Sequence, residues 1–279
     1  MAGKVRIVNS IAEIAPGIRR LVAGNAGMMT GTGTNTYLLG TGEIAVLDPG
    51  PLDEAHLQAI LDSAGGPIRA VLVTHTHRDH SPLAARIAAL TGARLYGAPA
   101  PDDGRQDLTF RPGHAPGDGE RLAVGGSQLV AIHTPGHASN CVCYLDERAG
   151  LLFSGDHVLE GVTPVILPPD GDMSAYLASI DKLHALPFTR IAPGHGAVIE
   201  DGKQTLVALR AHRLMREDKV LRCLAAGPCS IESLTPAVYD DVAPERHAWA
   251  RLTLEAHLIK LAREARAVVS DGRWSLAAG

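Results

Sequence analysis

No run of about 18 consecutive apolar residues occurs anywhere in the 279-residue chain, so no membrane-spanning helix is expected. The opening stretch, Met1-Ala-Gly-Lys-Val-Arg-Ile-Val8, has neither a long apolar core nor a cleavage site. A cytoplasmic rather than an exported protein is therefore expected. Cysteine is sparse, with four residues at 141, 143, 223 and 229. Cys141 and Cys143 alternate along the apolar stretch Asn140-Cys-Val-Cys-Tyr-Leu, which puts them on one face of a predicted strand. Neighbours of that kind are poorly placed to bridge each other, and the pair reads as packing in a reduced protein.

A basic excess is missing too. Lys and Arg number 26 against 30 Asp and Glu, a net charge of −4. After residue 202 there are 12 basic and 9 acidic residues, against 14 and 21 before it. An acidic first part with a mildly basic tail lacks the footprint of a dedicated RNA binder. Lys260, Arg263 and Arg266 recur every three residues and read as the solvated face of a helix. Hydrophobic residues at 46% and charged residues at 20% are ordinary for a soluble globular protein. The length suits one large domain and one small one.

What the chain does contain is a dense set of metal-ligand side chains. The β-branched run Val71-Leu-Val-Thr ends abruptly, and His75, His77, Asp79 and His80 follow within six residues. A strand ending near Thr74 would deliver all four onto one loop, and imidazole with carboxylate suits zinc or a similar first-row divalent ion. The same pattern of buried strand, Gly or Pro, then ligand recurs three times. His137 ends Leu129-Val-Ala-Ile-His-Thr-Pro-Gly-His, Asp156 closes Leu151-Leu-Phe-Ser-Gly-Asp, and His195 closes Ile191-Ala-Pro-Gly-His. Ligands at strand ends converge more rigidly than ligands scattered through loops.

The His-x-His-x-Asp-His run, with the later His, Asp and His in that order, resembles the metallo-β-lactamase superfamily of hydrolases along essentially the whole chain. The resemblance implies an αββα sandwich with two divalent ions, zinc foremost, with iron or manganese as alternatives. It implies that His75, His77 and His137 bind the first ion. Asp79, His80 and His195 would bind the second, and Asp156 would bridge both. It further implies hydrolysis by a metal-bridging hydroxide, with Asp79 orienting the nucleophile. Lactam-cleaving members usually lack a bridging aspartate, which turns the reading toward thioesterase-like and nuclease-like branches.

Short apolar runs predict strands at 36–39, 44–47, 70–73, 94–96, 128–132, 141–145, 151–153 and 190–192. Helical patterns fall at about 53–63, 82–90 and 173–185, with Pro82 suited to a first turn. Residues 1–202 are read as the catalytic domain and 203–279 as a second one. The latter carries helices at about 203–226, 231–239 and 245–265. A hairpin follows, turning at Asp271-Gly272. Helix, helix, helix, hairpin resembles a winged-helix domain, and the two parts together resemble the β-lactamase-like protein 2 group.

The Gly-rich segment 24–33 is a loop, either a connector or a flap over the cleft. Asp48 is expected to brace the ligand loop as an acceptor rather than to bind metal. His157 is a candidate substrate contact. His56, His114, His133, His184, His212, His247 and His257 are expected to be structural or solvent-facing. The expected function is hydrolysis of a small ester, thioester or lactone. The alternatives are cleavage of single-stranded RNA, β-lactam hydrolysis as a minor activity, and a non-catalytic scaffold. The complete ligand set argues against the last. A small-molecule partner is expected, no membrane, with RNA and self-association left open.

Overall fold

The computed structural model describes residues 8–277, so most of the opening stretch read above lies outside the described residues. The chain divides into two compact units. The first comprises residues up to 134, 140–162 and 186–203; the second comprises 135–139, 163–185 and 204 onward.

Two sheets build the first unit. Six strands run in the order β1 (Ala12–Ala15), β2 (Ile18–Val22), β3 (Asn35–Leu39), β4 (Ile44–Leu47), β5 (Ile68–Leu72) and β6 (Arg94–Tyr96). The pairs up to β4 are antiparallel; β4, β5 and β6 are parallel, joined by α1 (Glu54–Ala64) and α2 (Leu83–Thr91). The second sheet has the order β11 (Arg190–Pro193), β10 (Leu151–Gly155), β9 (Val142–Asp146), β8 (Ser127–His133) and β7 (Arg121–Val124).

Alternation along the strands explains the layering. Tyr37, Leu39, Leu47 and Leu72 pack with Leu129, Tyr144, Leu151 and Phe153 of the other sheet in one core. Their strand neighbours Leu38, Val46, Val71 and Val73 face the opposite way and pack on Leu57 and Ile60 of α1 and Leu83 and Ile87 of α2. Each fully buried side chain of this size contributes roughly 1.5–3 kcal/mol. The first unit thus forms three layers, helices on sheet on sheet; α3 (Met173–His184), between β10 and β11 in the chain, belongs to the second unit. Asp53 caps α1 by accepting from Ala55 N and His56 N, and Gly65 closes it with φ 70°.

The strands predicted from apolar runs are present, and β1, β2 and β7 come in addition to them. These three are short and carry Glu13, Arg19, Arg20 and Arg121, so no apolar run marks them. Arg19 is satisfied by the carbonyls of Ser63 and Ala64, at 2.6 and 3.0 Å.

In the second unit α4 (Gly202–Leu224), α5 (Ile231–Val238) and α6 (His247–Arg263) precede the hairpin β12 (Ala267–Ser270) and β13 (Arg273–Leu276). A 3-10 turn at Pro244–Arg246 takes the place expected for the first turn of α6. Asp271 and Gly272 both have positive φ, 50° and 71°, as a type I′ turn requires. Val220, Leu224, Leu234, Val238, Leu254, Leu258 and Leu261 form this unit's core. The division into units does not fall at a single point near residue 202. Ile166 N bonds Thr253 Oγ1 at 3.4 Å, Arg213 donates to Pro164 O, and Arg263 pairs with Asp172, which ties 163–185 to the C-terminal segment. Among the described residues no helix is long and apolar enough to cross a membrane.

Candidate metal centre

Four strand ends of the first unit carry the chemistry. The loop after β5 holds His75, His77, Asp79 and His80, Asp156 follows β10, and His195 follows β11. Asp48, after β4, is 1% exposed and in the left-handed region at φ 48°. Its Oδ1 accepts from Thr74 N at 2.7 Å, and its Oδ2 accepts from Thr74 Oγ1 at 2.7 Å and His80 Nδ1 at 2.9 Å. The expected brace is therefore present, gripping the ligand loop at both Thr74 and His80. Two glycines make the approach possible. A Cβ on Gly155 would lie 2.3 Å from Thr74 Oγ1, and one on Gly194 would lie 2.4 Å from Asp156 Oδ1.

The donor atoms stand at distances that suit an ion better than each other. Four ligands held about 2.0–2.1 Å from a tetrahedral zinc are roughly 3.3 Å apart. His80 Nε2 lies 3.4 Å from Asp79 Oδ2 and 3.4 Å from Asp156 Oδ1. His195 Nε2 lies 3.1 Å from Asp79 Oδ2 and 3.4 Å from Asp156 Oδ2. His75 Nε2 and His77 Nδ1 converge to 2.9 Å. Both His80 Nε2 and His195 Nε2 are buried with no hydrogen-bond partner, an expensive state for an imidazole nitrogen unless an ion takes it. Their other ring nitrogens are fixed: His80 Nδ1 on Asp48, His195 Nδ1 on Gly33 O at 3.1 Å. His75 Nδ1 similarly meets Thr74 Oγ1 at 3.1 Å, whose proton goes to Asp48. In all three Nε2 is the ring nitrogen turned toward the cluster.

The electrostatics are those of a tightly packed cluster of imidazoles and carboxylates. Burial opposes charge on His80, yet Asp79, Asp156 and Asp48 outweigh it and raise its pKa well above the ordinary histidine value. His195 is likewise raised against burial, to about 10, chiefly by Asp156. Burial would raise Asp79 and Asp156, but His80 and His195 hold both below the usual carboxylate range. Both are anions at neutral pH, the state a metal ligand needs. The donor set is nitrogen and oxygen only, which fits zinc, iron or manganese.

His137 sits on the 135–139 loop, which is counted with the second unit and leaves and re-enters the first within five residues. Thr134 N donates to Cys141 O at 2.9 Å across the base of that excursion. His137 Nδ1 donates to Val165 O at 2.8 Å.

Residues 29–195 match the family model of the metallo-beta-lactamase superfamily. The chain belongs to that superfamily. Residues 230–274 match the beta-lactamase associated winged helix domain. Over 282 residues the chain is 29% identical to the beta-lactamase-like protein 2 homolog of Drosophila melanogaster, covering 95% of this chain and 94% of that one. It is 32% identical over 236 residues to the atrochrysone carboxyl ACP thioesterase of Aspergillus fumigatus, covering 80% of this chain and 71% of the relative. A solved structure from Thermus thermophilus, a metallo-beta-lactamase family protein, superposes with a TM-score of 0.79 at 25% identity, covering 95% of this chain and all of that one. The chain is thus a hydrolase of this superfamily with a winged-helix domain behind it.

Within the superfamily site, six of the seven expected ligands are brought together inside the first unit. His157 differs from its expected place as a substrate contact: it is fully buried, with no surface to offer. Cys141 and Cys143 are buried free thiols, as expected of packing. The sequence reading missed Thr34, whose Oγ1 lies 3.3 Å from Asp79 Oδ2, and the buried chain from His56 through Thr36 to the Asp48 carbonyl, at 2.9 and 2.7 Å. A signal existed: Thr34-Asn35-Thr36 is a polar triplet opening an apolar strand, and all three are fully buried.

Proposed function

We propose that the protein is a dinuclear metal-dependent hydrolase of small thioesters or esters. His75, His77 and His137 would hold one divalent ion and Asp79, His80 and His195 the other, with Asp156 available to both. The observation that carries this reading is the position of Asp156. Its two oxygens lie 3.4 Å from His80 Nε2 and 3.4 Å from His195 Nε2, and the same carboxylate groups with His75. A paired divalent centre supplies a water-derived nucleophile near neutral pH and charge compensation for a developing oxyanion.

The chain's own residues do the rest. Asp48 and Thr74 fix the imidazole faces of His75 and His80. Asp79, whose Oδ2 meets Thr34 Oγ1 at 3.3 Å and His195 Nε2 at 3.1 Å, would orient the attacking water. Preference for a thioester is supported by the thioesterase relative and by the acidic first domain, which repels a polyanionic RNA.

Protein purified without chelator should contain close to two ions per chain by elemental analysis. It should release thiol from acyl-thioesters faster than it opens lactones or β-lactams or cuts single-stranded RNA. Full activity with one ion or none would refute the dinuclear reading; RNA cleavage without thiol release would refute the substrate class.

A further inference from the structure

A second set of buried polar groups grips the ligand loop at a point that Asp48 does not reach. Thr76, between His75 and His77, is fully buried, as are Gln106 and Asn140 within a few per cent. Asn140 Nδ2 lies 3.2 Å from Pro99 O and 2.7 Å from Thr76 Oγ1. A carbonyl only accepts, so the amide must present its NH2 group there, which fixes its orientation. The same NH2 group donates to Thr76 Oγ1, and the hydroxyl passes its own proton to Gln106 Oε1 at 2.9 Å. Thr76 O accepts from Asp107 N at 2.6 Å, and Asp107 Oδ2 accepts from Ser81 Oγ at 2.7 Å. Gln106 also forms a β-bridge with His77. The peptide joining His75 to His77 is thereby held through both its side chain and its carbonyl, by residues from two distant stretches of chain.

We propose that Thr76, Gln106 and Asn140 are positioning residues for the first ion's His75–His77 pair, gripping the peptide between the two histidines, whereas the Asp48 brace meets the loop at Thr74 and His80. The proposal rests on the ligand reading above. Its logic is one of direction: hydrogen bonds run one way through Asn140, Thr76 and Gln106, so the Thr76 hydroxyl links both amides to the peptide between His75 and His77. Removing it takes one of two acceptors from the buried Asn140 NH2 group and a donor from Gln106 Oε1. Loss of that link loosens the peptide carrying His75 and His77 from the two stretches of chain that hold it. Changes outside the ligand set typically weaken metal affinity by about 10–100-fold.

Thr76→Val keeps the β-branched shape and deletes the hydroxyl, whereas Thr76→Ser keeps the hydroxyl. Titration of metal-depleted protein with Co(II), followed by visible absorption, should resolve two binding steps, and His77→Ala identifies which belongs to the first site. Thr76→Val should weaken that same step by about 10–100-fold and leave the other within about twofold, with Thr76→Ser restoring it. Gln106→Leu is a second variant with the same expected pattern should Thr76→Val fold poorly. Equal weakening of both steps, or a fall in melting temperature with both steps unchanged, would overturn the proposal. If the unaltered protein bound only one Co(II), the dinuclear reading itself would fail, and the two failures are therefore distinguishable.

Discussion

At the residue scale the site is governed by where charge is placed. Asp156 is 8% exposed and stands among His75, His80 and His195. Replacing it with Asn keeps the size and removes the charge that a shared ligand needs between two dications. Asp156→Asn should lower bound metal from two ions toward one and cut turnover on the best substrate by on the order of 100-fold or more, since nucleophile supply depends on the pair. Far-ultraviolet circular dichroism should change little, because the strands are held by their own apolar cores. Cys141→Ala is the matched control, expected to leave both metal content and turnover intact. Near-normal activity with two ions in Asp156→Asn would rule out the shared role. The clustered residues were legible in the sequence because each lies shortly after an apolar run closed by Thr, Gly or Pro. Thr76, Gln106 and Asn140 were not legible, because hydroxyl and amide residues are common in loops and only burial reveals that these three are joined.

Strand ends set the geometry at the scale of elements, and the glycines beside them permit it. A Cβ at Gly194 would meet Asp156 Oδ1 at 2.4 Å, His80 Cε1 at 2.7 Å and the Gly155 carbonyl carbon at 3.0 Å. Two of these are tethered: His80 is bonded to Asp48 through Nδ1, and Gly155 O accepts from Gly194 N at 2.8 Å. Gly194→Ala should therefore displace His80 and Asp156 together, weakening the second ion by about 10–100-fold while β10 and β11 stay paired. Metal stoichiometry after dialysis measures the loss; two tightly held ions in the variant would contradict it. The sequence revealed the strands feeding the site because each is an apolar run closed by Gly or Pro. It concealed β2 because Arg19 and Arg20 break the run, and their compensation is tertiary: Arg20 Nη1 reaches Gly196 O at 3.0 Å, 176 residues away. A pattern read within one window cannot register a partner at that separation.

The whole molecule stores acid sensitivity in buried histidines away from the metal ligands. His257 is fully buried, and burial pushes its pKa down to about 4, with Arg213 and Lys260 adding to the effect against Glu217. His56 in the first unit is lowered to about 4 by burial as well. In the unfolded chain both titrate near 6.5. A folded value below the unfolded one means that the unfolded state takes up protons first, so stability present above pH 6.5 is lost as pH falls toward 4. Glu217, held near 2 by His257 and Lys260 against burial, adds a further loss between about pH 4.5 and 2. Between pH 7 and 4.5 the melting temperature of His257→Gln, referred to its own value at pH 7, should end above that of the unaltered protein; identical profiles would contradict the assignment. Domain organisation is where local reading reached least far, because 135–139 and 163–185 join the second unit through non-local bonds. Asp172 N donates to Gly136 O at 2.9 Å and Ser179 Oγ to Pro135 O at 2.9 Å, so the 135–139 loop leans on 163–185. That segment in turn depends on Thr253, Arg213 and Arg263. Ending the chain near residue 202 removes all three supports while leaving every ligand in the sequence. The shortened protein should therefore keep the ion bound by Asp79, His80 and His195 but lose affinity for the one that depends on His137. In the Co(II) titration the two steps should part, with the His77-dependent step the weaker. Two unchanged steps would show that the 135–139 loop holds its place without the C-terminal helices.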